Sequence, residues 1–272
     1  MNIIDIHTHA FADDIAPRAM EQLHREVEGK GIRGHLDGTI GALKASMARA
    51  GIALSVVQPV STRASQVGAI NDWAHATSGD GVLCFGTVFP GMTGWEAEVA
   101  RLAELGIKGV KFHPDYQKFH PDDRSVFPLY EALAHYGLIV LFHAGKDIGL
   151  YPPVHATPTR LAEVLRHFPS LSVVAAHLGS YQMWDEVETH LVGKDVFFDT
   201  SYVLGHMDRD QALRIIRHHG HERIVFGTDS PWERQDLEVQ AIGRLPLSDQ
   251  AKEAILGGNA QELLKIPASG SL

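Results

Sequence analysis

Asp5-Ile6-His7-Thr8-His9 sets two imidazoles two residues apart at the end of an apolar run. In an extended strand, residues i and i+2 share a face, so His7 and His9 can grip one cation while Ile4, Ile6 and Thr8 face the other way. On this reading Ile4 and Ile6 pack outward on helices. Four later apolar runs also end in polar or titratable groups: Val110-Lys111-Phe112-His113, Val140-Leu141-Phe142-His143, Val174-Ala175-Ala176-His177 and Val225-Phe226-Gly227-Thr228-Asp229. An imidazole beside such a run costs free energy unless it is hydrogen-bonded or coordinated. Singly, each histidine reads as a satisfied core residue and Asp229 as a helix N-cap. The series points to one site built from several strand ends. Three histidines and a carboxylate suit a borderline divalent ion such as Zn²⁺, with Co²⁺, Mn²⁺, Fe²⁺ or Ni²⁺ also allowed by ligand type. Zinc can lower the pKa of a bound water to about 7, which makes hydroxide available at neutral pH.

The elements that must position these groups are short apolar runs alternating with segments of helical period, the pattern of repeated β-α units around a parallel sheet. Strands are expected at 3–8, 53–58, 82–88, 107–112, 138–143, 171–176, 195–199 and 223–228. Helices are expected at 14–28, 39–50, 64–78, 94–105, 124–136, 157–168, 180–191 and 208–219, with terminal helices at 234–242 and 248–264. Thr157-Pro158 is an N-cap followed by proline at the first helical position, and Gly106 and Gly137 follow helix ends. Eight such units close a (β/α)₈ TIM barrel, an α/β fold, here a single domain over 1–266 with extra C-terminal helices and a frayed tail at 267–272. A doubly wound open sheet has the same periodicity but spreads its strand ends apart, whereas a barrel converges them on one axis.

The chain has 272 residues, 44% of them hydrophobic and 21% charged, an ordinary globular composition. A formal net charge of −9 argues against a broad nucleic-acid footprint. No run reaches the roughly 20 apolar residues that span a bilayer, and Met1 leads into Asn2-Ile3-Ile4-Asp5 without a signal-peptide pattern. A cytoplasmic location, a small-molecule substrate, no nucleic acid and no membrane are expected, and a homo-oligomer is allowed. The lone cysteine, Cys84, reads as a buried thiol. His218-His219-Gly220-His221 reads as a solvated helix end. Gly29-Lys30-Gly31-Ile32-Arg33-Gly34 fits G-x-G-x-x-G but follows a helical stretch, so it reads as a loop.

With these residues in view, the chain resembles the amidohydrolase superfamily, in the amidohydrolase-related branch that includes aminocarboxymuconate-semialdehyde decarboxylase and similar enzymes. The likeness runs from Asp5-Ile6-His7-Thr8-His9 through Gly109-Val110-Lys111-Phe112-His113-Pro114, His143 and Ala176-His177-Leu178-Gly179. It continues through Gly227-Thr228-Asp229-Ser230-Pro231 to Ile255-Leu256-Gly257-Gly258-Asn259-Ala260, nearly the whole chain. The resemblance implies a barrel with one divalent metal, usually zinc, held by His7, His9, His143 and Asp229. It makes His177 a catalytic acid or base, with Asp229 combining ligation and proton transfer. Other branches carry a carboxylated lysine bridging two metals, which would be Lys111 here; in this branch an unmodified pocket lysine and a single ion are expected.

Two chemistries follow. The leading expectation is a metal-dependent hydrolase of a small, carboxylated amide, ester or lactone, attacked by metal-activated water. The alternative is non-oxidative decarboxylation of an aromatic or unsaturated acid, and a barrel that binds metal or ligand without turnover is a third reading. Arg63, Lys111, His113 and Lys146, with Tyr151, are candidate contacts for a substrate carboxylate. Trp232 is a candidate pocket wall. Asp199 either orients a ligand or caps the next helix.

Overall fold

The computed structural model describes residues 2–267. Of the tail expected at 267–272, residues 268–272 lie outside the described residues. Nine strands form, all paired in parallel: β1 (Ile3–Thr8), β2 (Ile52–Val57), β3 (Val82–Cys84), β4 (Gly86–Thr87), β5 (Gly109–Phe112), β6 (Ile139–Phe142), β7 (Val173–Ala175), β8 (Phe197–Asp199) and β9 (Ile224–Val225). β3 and β4 are the two halves of the single strand expected at 82–88. They part at Phe85, whose N–H still donates to the Val57 carbonyl at 2.9 Å, so the wall continues across the break. Strand order is β1-β2-β3 and then β4 through β9. Closure comes from the segment after β9, where Ile6 N–H donates to Phe226 O (2.8 Å), Asp229 N–H to His7 O (2.8 Å) and His9 N–H to Ser230 O (2.6 Å). The chain is therefore a closed (β/α)₈ barrel, as the sequence implied.

Apart from the short helix Pro114–Gln117, which was not expected, helices fall in the expected intervals and are punctuated as their sequences dictate. Thr157 accepts from Arg160 N–H to cap Pro158–His167, and Thr39 and Asp208 cap Ile40–Ala50 and Arg209–His219 in the same way. The helix expected from 180 begins only at Trp184, because His177, Leu178 and Gln182 hold left-handed backbone. At the C-terminus, Asp249–Glu253 passes through a π turn, Ala254–Gly258, into Asn259–Leu263. Gly257 is required there: an added Cβ would lie 2.0 Å from the Asn2 carbonyl oxygen. No helix among the described residues is long and apolar enough to cross a membrane.

One expectation about β1 is corrected. Ile4 and Ile6 do not face the helices; they pack with Leu54, Val56, Phe85, Ile139, Leu141, Val174 and Val225, a cluster drawn from around the whole barrel and so its interior. Asp5 faces outward instead and accepts from Gln235 Nε2 (2.8 Å) on the helix Gln235–Gly243. The histidines still turn inward because the β1/β2 register shifts between Asp5 and Thr8, where three steps on β1 span two on β2. Such a bulge exchanges the faces of the residues beyond it.

His219 is also corrected. It is buried, stacked on Phe198 with centroids 3.9 Å apart, and its Nε2 lies 2.8 Å from Val196 O. Cys84 is buried as expected, and burial pushes its thiol up to about 12, which excludes a nucleophilic thiolate.

Candidate metal centre

β1 delivers His7 and His9, and the segment after β9 delivers Asp229. His7 Nε2 and His9 Nε2 lie 3.5 Å and 3.1 Å from the same Asp229 oxygen, Oδ1. What each imidazole can do there is fixed by its other nitrogen. His9 Nδ1 is 3.0 Å from the carbonyl oxygen of Gln58, and His7 Nδ1 is 2.8 Å from Asp199 Oδ2. A carbonyl or carboxylate only accepts, so both Nδ1 atoms carry the hydrogen. Each Nε2 then has a lone pair for a positive partner beside the Asp229 oxygen; Lys111 Nζ stands 3.0 Å from that of His7, while that of His9 faces the carboxylate itself. This is the donor chemistry of a divalent cation: two imidazoles oriented from behind by acceptors, and a carboxylate.

The ionisation of the site agrees. Burial pushes His7 down to about 3, with Lys111 adding to the effect, so it is a neutral ligand-type imidazole. Burial works to raise Asp199, but His7, His177 and the Ser201 hydroxyl outweigh it and bring the carboxyl down to about 2. Asp229 is likewise opposed by burial, yet the imidazoles of His9, His7 and His177 around it hold its carboxyl well below the usual carboxylate range. Lys111, on β5, is fully buried with Nζ 3.0 Å from His7 Nε2, and burial lowers it to about 8 against the pull of Asp199, Asp229 and Asp147.

His177 follows β7 with a left-handed backbone, φ 62°, the same value as Asp229. A non-glycine residue holds that conformation only when its surroundings over-determine it. They do at His177: its N–H donates to Asp199 Oδ1 (2.9 Å), its carbonyl accepts from Trp184 Nε1 (3.0 Å), and its Nδ1 is 2.9 Å from Ser201 O. Nδ1 therefore carries hydrogen, and Nε2 faces Nδ1 of His143 across 3.1 Å.

The structure thus brings together His7, His9 and Asp229, with Lys111 and His177 against them. The fourth expected ligand, His143, stands one step away. Its ring stacks on His113 with centroids 4.1 Å apart and planes 5° apart, and it meets the group through His177. Among the expected substrate contacts, His113 is buried in that stack and Lys146 is exposed on a cavity of about 250 Å³ whose lining includes Lys30, Asp147, Tyr151 and Tyr181. Tyr181 lies 6.0 Å from His177, ring to ring, which ties this cavity to the site. Trp232 is buried against His24, 6.0 Å between centroids. Arg63 is exposed at the start of the turn Ala64–Gln66 and makes no hydrogen bond to the site among the described residues. Asp199 is decided by the structure: it orients His7. Sequence reading missed Gln58, Ser201 and Asp147. The first acts through its carbonyl, which has no sequence signature. Ser201 and Asp147 had only proximity to Asp199 and His143 to mark them.

The family model described as amidohydrolase matches residues 4–266. The chain belongs to the amidohydrolase family. Among solved structures, this family member is similar to 5-carboxyvanillate decarboxylase from Sphingomonas paucimobilis, at 18% identity and TM-score 0.76, covering 98% of this chain and 99% of that one. It is similar to 2,6-dihydroxybenzoate decarboxylase from Rhizobium, at 15% identity and TM-score 0.72, over 97% and 99%. A dihydroxybenzoic acid decarboxylase from Polaromonas sp. JS666, with bound manganese and the inhibitor 2-nitroresorcinol, matches at 16% identity and TM-score 0.75, over 100% and 99%. A search of curated proteins gives no match. The leading expectation of a hydrolase working through activated water is overturned here: these enzymes, alike over their whole length, are named for decarboxylation.

Proposed function

We propose that this chain is a divalent-metal-dependent, non-oxidative decarboxylase of an aromatic or unsaturated carboxylic acid. The observation that carries the reading is the pairing of a cation-demanding group, His7, His9 and Asp229, with a proton-capable nitrogen beside it, His177 Nε2. Decarboxylation needs both: a positive centre to hold an anionic substrate, and one proton to take the place of CO₂.

His143, through Nδ1, is assigned as the fourth donor to the ion, which leaves His177 Nε2 to hold the proton. When bound, the ion would supply the positive charge that holds and orients the substrate anion; Zn²⁺ suits the ligand types, and the manganese in a similar structure makes Mn²⁺ the second ion to load. Lys111 adds a cation at the same wall. His177 delivers its proton to the carbon that bears the carboxylate and forms the new C–H bond. The bond from that carbon to the carboxylate breaks, its electron pair returns to the π system, and CO₂ leaves. Ser201 O and Asp199 keep His177 aimed through the step. The cavity bounded by Tyr181 and Lys146 receives the ring.

The test loads the purified chain with Zn²⁺ or Mn²⁺ and incubates it with hydroxylated benzoates, including 5-carboxyvanillate and 2,6-dihydroxybenzoate. Release of CO₂ with a one-to-one gain of the decarboxylated product supports the reading. No CO₂ from any member of the panel with either metal overturns it.

A further inference from the structure

Behind the metal centre lies a second cluster, His113, His143 and Asp147, whose donor atoms also lie close together. It is not a second ion site. The two rings are stacked almost parallel, so an ion lying in the plane of one imidazole would stand well off the plane of the other, where no lone pair points.

The hydrogen bonds give it a different role. Tyr116 N–H donates to His113 Nδ1 (3.4 Å), which puts the His113 hydrogen on Nε2, 3.1 Å from Asp147 Oδ2. The other oxygen, Asp147 Oδ1, accepts from the N–H groups of Gly149 (2.6 Å) and Leu150 (2.8 Å). The carboxylate is thereby locked in place, with Oδ2 keeping a free lone pair. His143 Nε2 is buried, has no hydrogen-bond partner, and lies 4.0 Å from that same Oδ2. A buried N–H left unpaired is unfavourable, and a closure of about 1 Å converts this one to a charge-assisted bond.

We propose that Asp147 is a positioning residue that fixes His143 as the Nε2–H tautomer, so that the Nδ1 lone pair is presented to the metal centre. In the opposite tautomer Nδ1–H would be spent on His177 Nε2, and the Nε2 lone pair would face a carboxylate. Asp147 thus decides that His143 is an acceptor toward the centre and that His177 is free to carry the reactive proton. His113 serves as the strut that holds Asp147 and stacks on the ring it orients. The inference rests on the proposed metal-site reading for its consequence, but the tautomer itself does not depend on turnover.

The test is the His143 tautomer, read from two-bond ¹⁵N–¹H couplings in ¹⁵N-histidine-labelled protein, both zinc-loaded and chelator-treated, with the His143 signals assigned by their loss in His143→Gln. In the wild type Nε2–H is expected. Asp147→Asn keeps the acceptor for Gly149 and Leu150 but places an amide NH₂ where Oδ2 stood, so it should shift His143 toward Nδ1–H. Zinc affinity measured by chelator competition should then fall about 10- to 100-fold. A wild-type His143 already in the Nδ1–H form overturns the proposal without any variant, as does an unchanged tautomer in Asp147→Asn. A shifted tautomer with unchanged zinc affinity supports the brace and instead removes His143 from the ligand set. Absence of CO₂ release bears only on the decarboxylase reading.

Discussion

The carbonyl oxygen of Gln58 lies 3.0 Å from Nδ1 of His9, and this contact decides which nitrogen of His9 faces Asp229. Asp199 does the same for His7 at 2.8 Å. His7 on β1 and His9 just past it are thus aimed onto one carboxylate oxygen from two directions, by β8 and by the residue that follows β2. β8 is not paired with β1, and it is the closure of the barrel that brings its end to His7.

Asp199→Asn tests that orientation. The amide can donate to His7 Nδ1, which moves the His7 hydrogen to Nε2 and removes its lone pair from the centre. Bound metal, measured by elemental analysis at limiting ion, is expected to fall with affinity about 10- to 100-fold weaker, while the far-ultraviolet circular dichroism stays that of the wild type. Full metal occupancy at wild-type affinity would exclude an orienting role.

His177→Asn separates proton delivery from ion binding. The side chain lies against the donor group without belonging to it. CO₂ release is expected to fall about 10²- to 10⁴-fold with close to one ion still bound per chain. If metal is lost in step with activity, His177 is a ligand and not the acid.

The barrel was legible because each β-α unit carries its own punctuation, as with Thr157-Pro158, and because strands buried on both faces read as unbroken apolar runs. The inward turn of His7 was reached by the wrong route. Strict alternation from Ile4 gives the right face only if the isoleucines point outward, and the β1/β2 register shift that reconciles inward isoleucines with inward histidines depends on the partner strand. Asp147 shows the same limit. In sequence it is one carboxylate in a loop, and its role appears only when the fold stacks His113 on His143 beside it. His219 looked solvated because its neighbours His218 and His221 are polar, yet the packing of Arg209–His219 turns that one ring onto Phe198.

Gly257→Ala tests the seal at the foot of the barrel. The Asn2 carbonyl oxygen occupies the place a Cβ would take, and Ile255 O accepts from Phe226 N–H in the same π turn, at 2.9 Å. Backbone on both sides leaves little room to relax. A loss of about 1–3 kcal/mol is expected in urea unfolding, with metal affinity per folded chain unchanged. Wild-type stability would mean that the terminal segment moves away freely and does not close the barrel.

Glu238 gives the fold a pH dependence that can be measured apart from the metal centre. It lies buried on the helix Gln235–Gly243 with Oε2 unpartnered, and burial, then Glu233 and Asp5, push its carboxyl up from 4.5 to about 7 against the pull of His206. A carboxyl raised on folding binds its proton more tightly in the native chain, so its contribution is intact below about pH 4.5 and is lost as pH rises toward 7. Glu238→Gln keeps the shape and removes the ionisation. Comparing urea unfolding at pH 4.5 and pH 8, the variant should match the wild type within error at the lower pH. It should be about 1–3 kcal/mol more stable at the higher, since each pKa unit corresponds to about 1.4 kcal/mol. A stability difference that does not change between the two pH values would show that Glu238 ionises alike in the folded and unfolded chain.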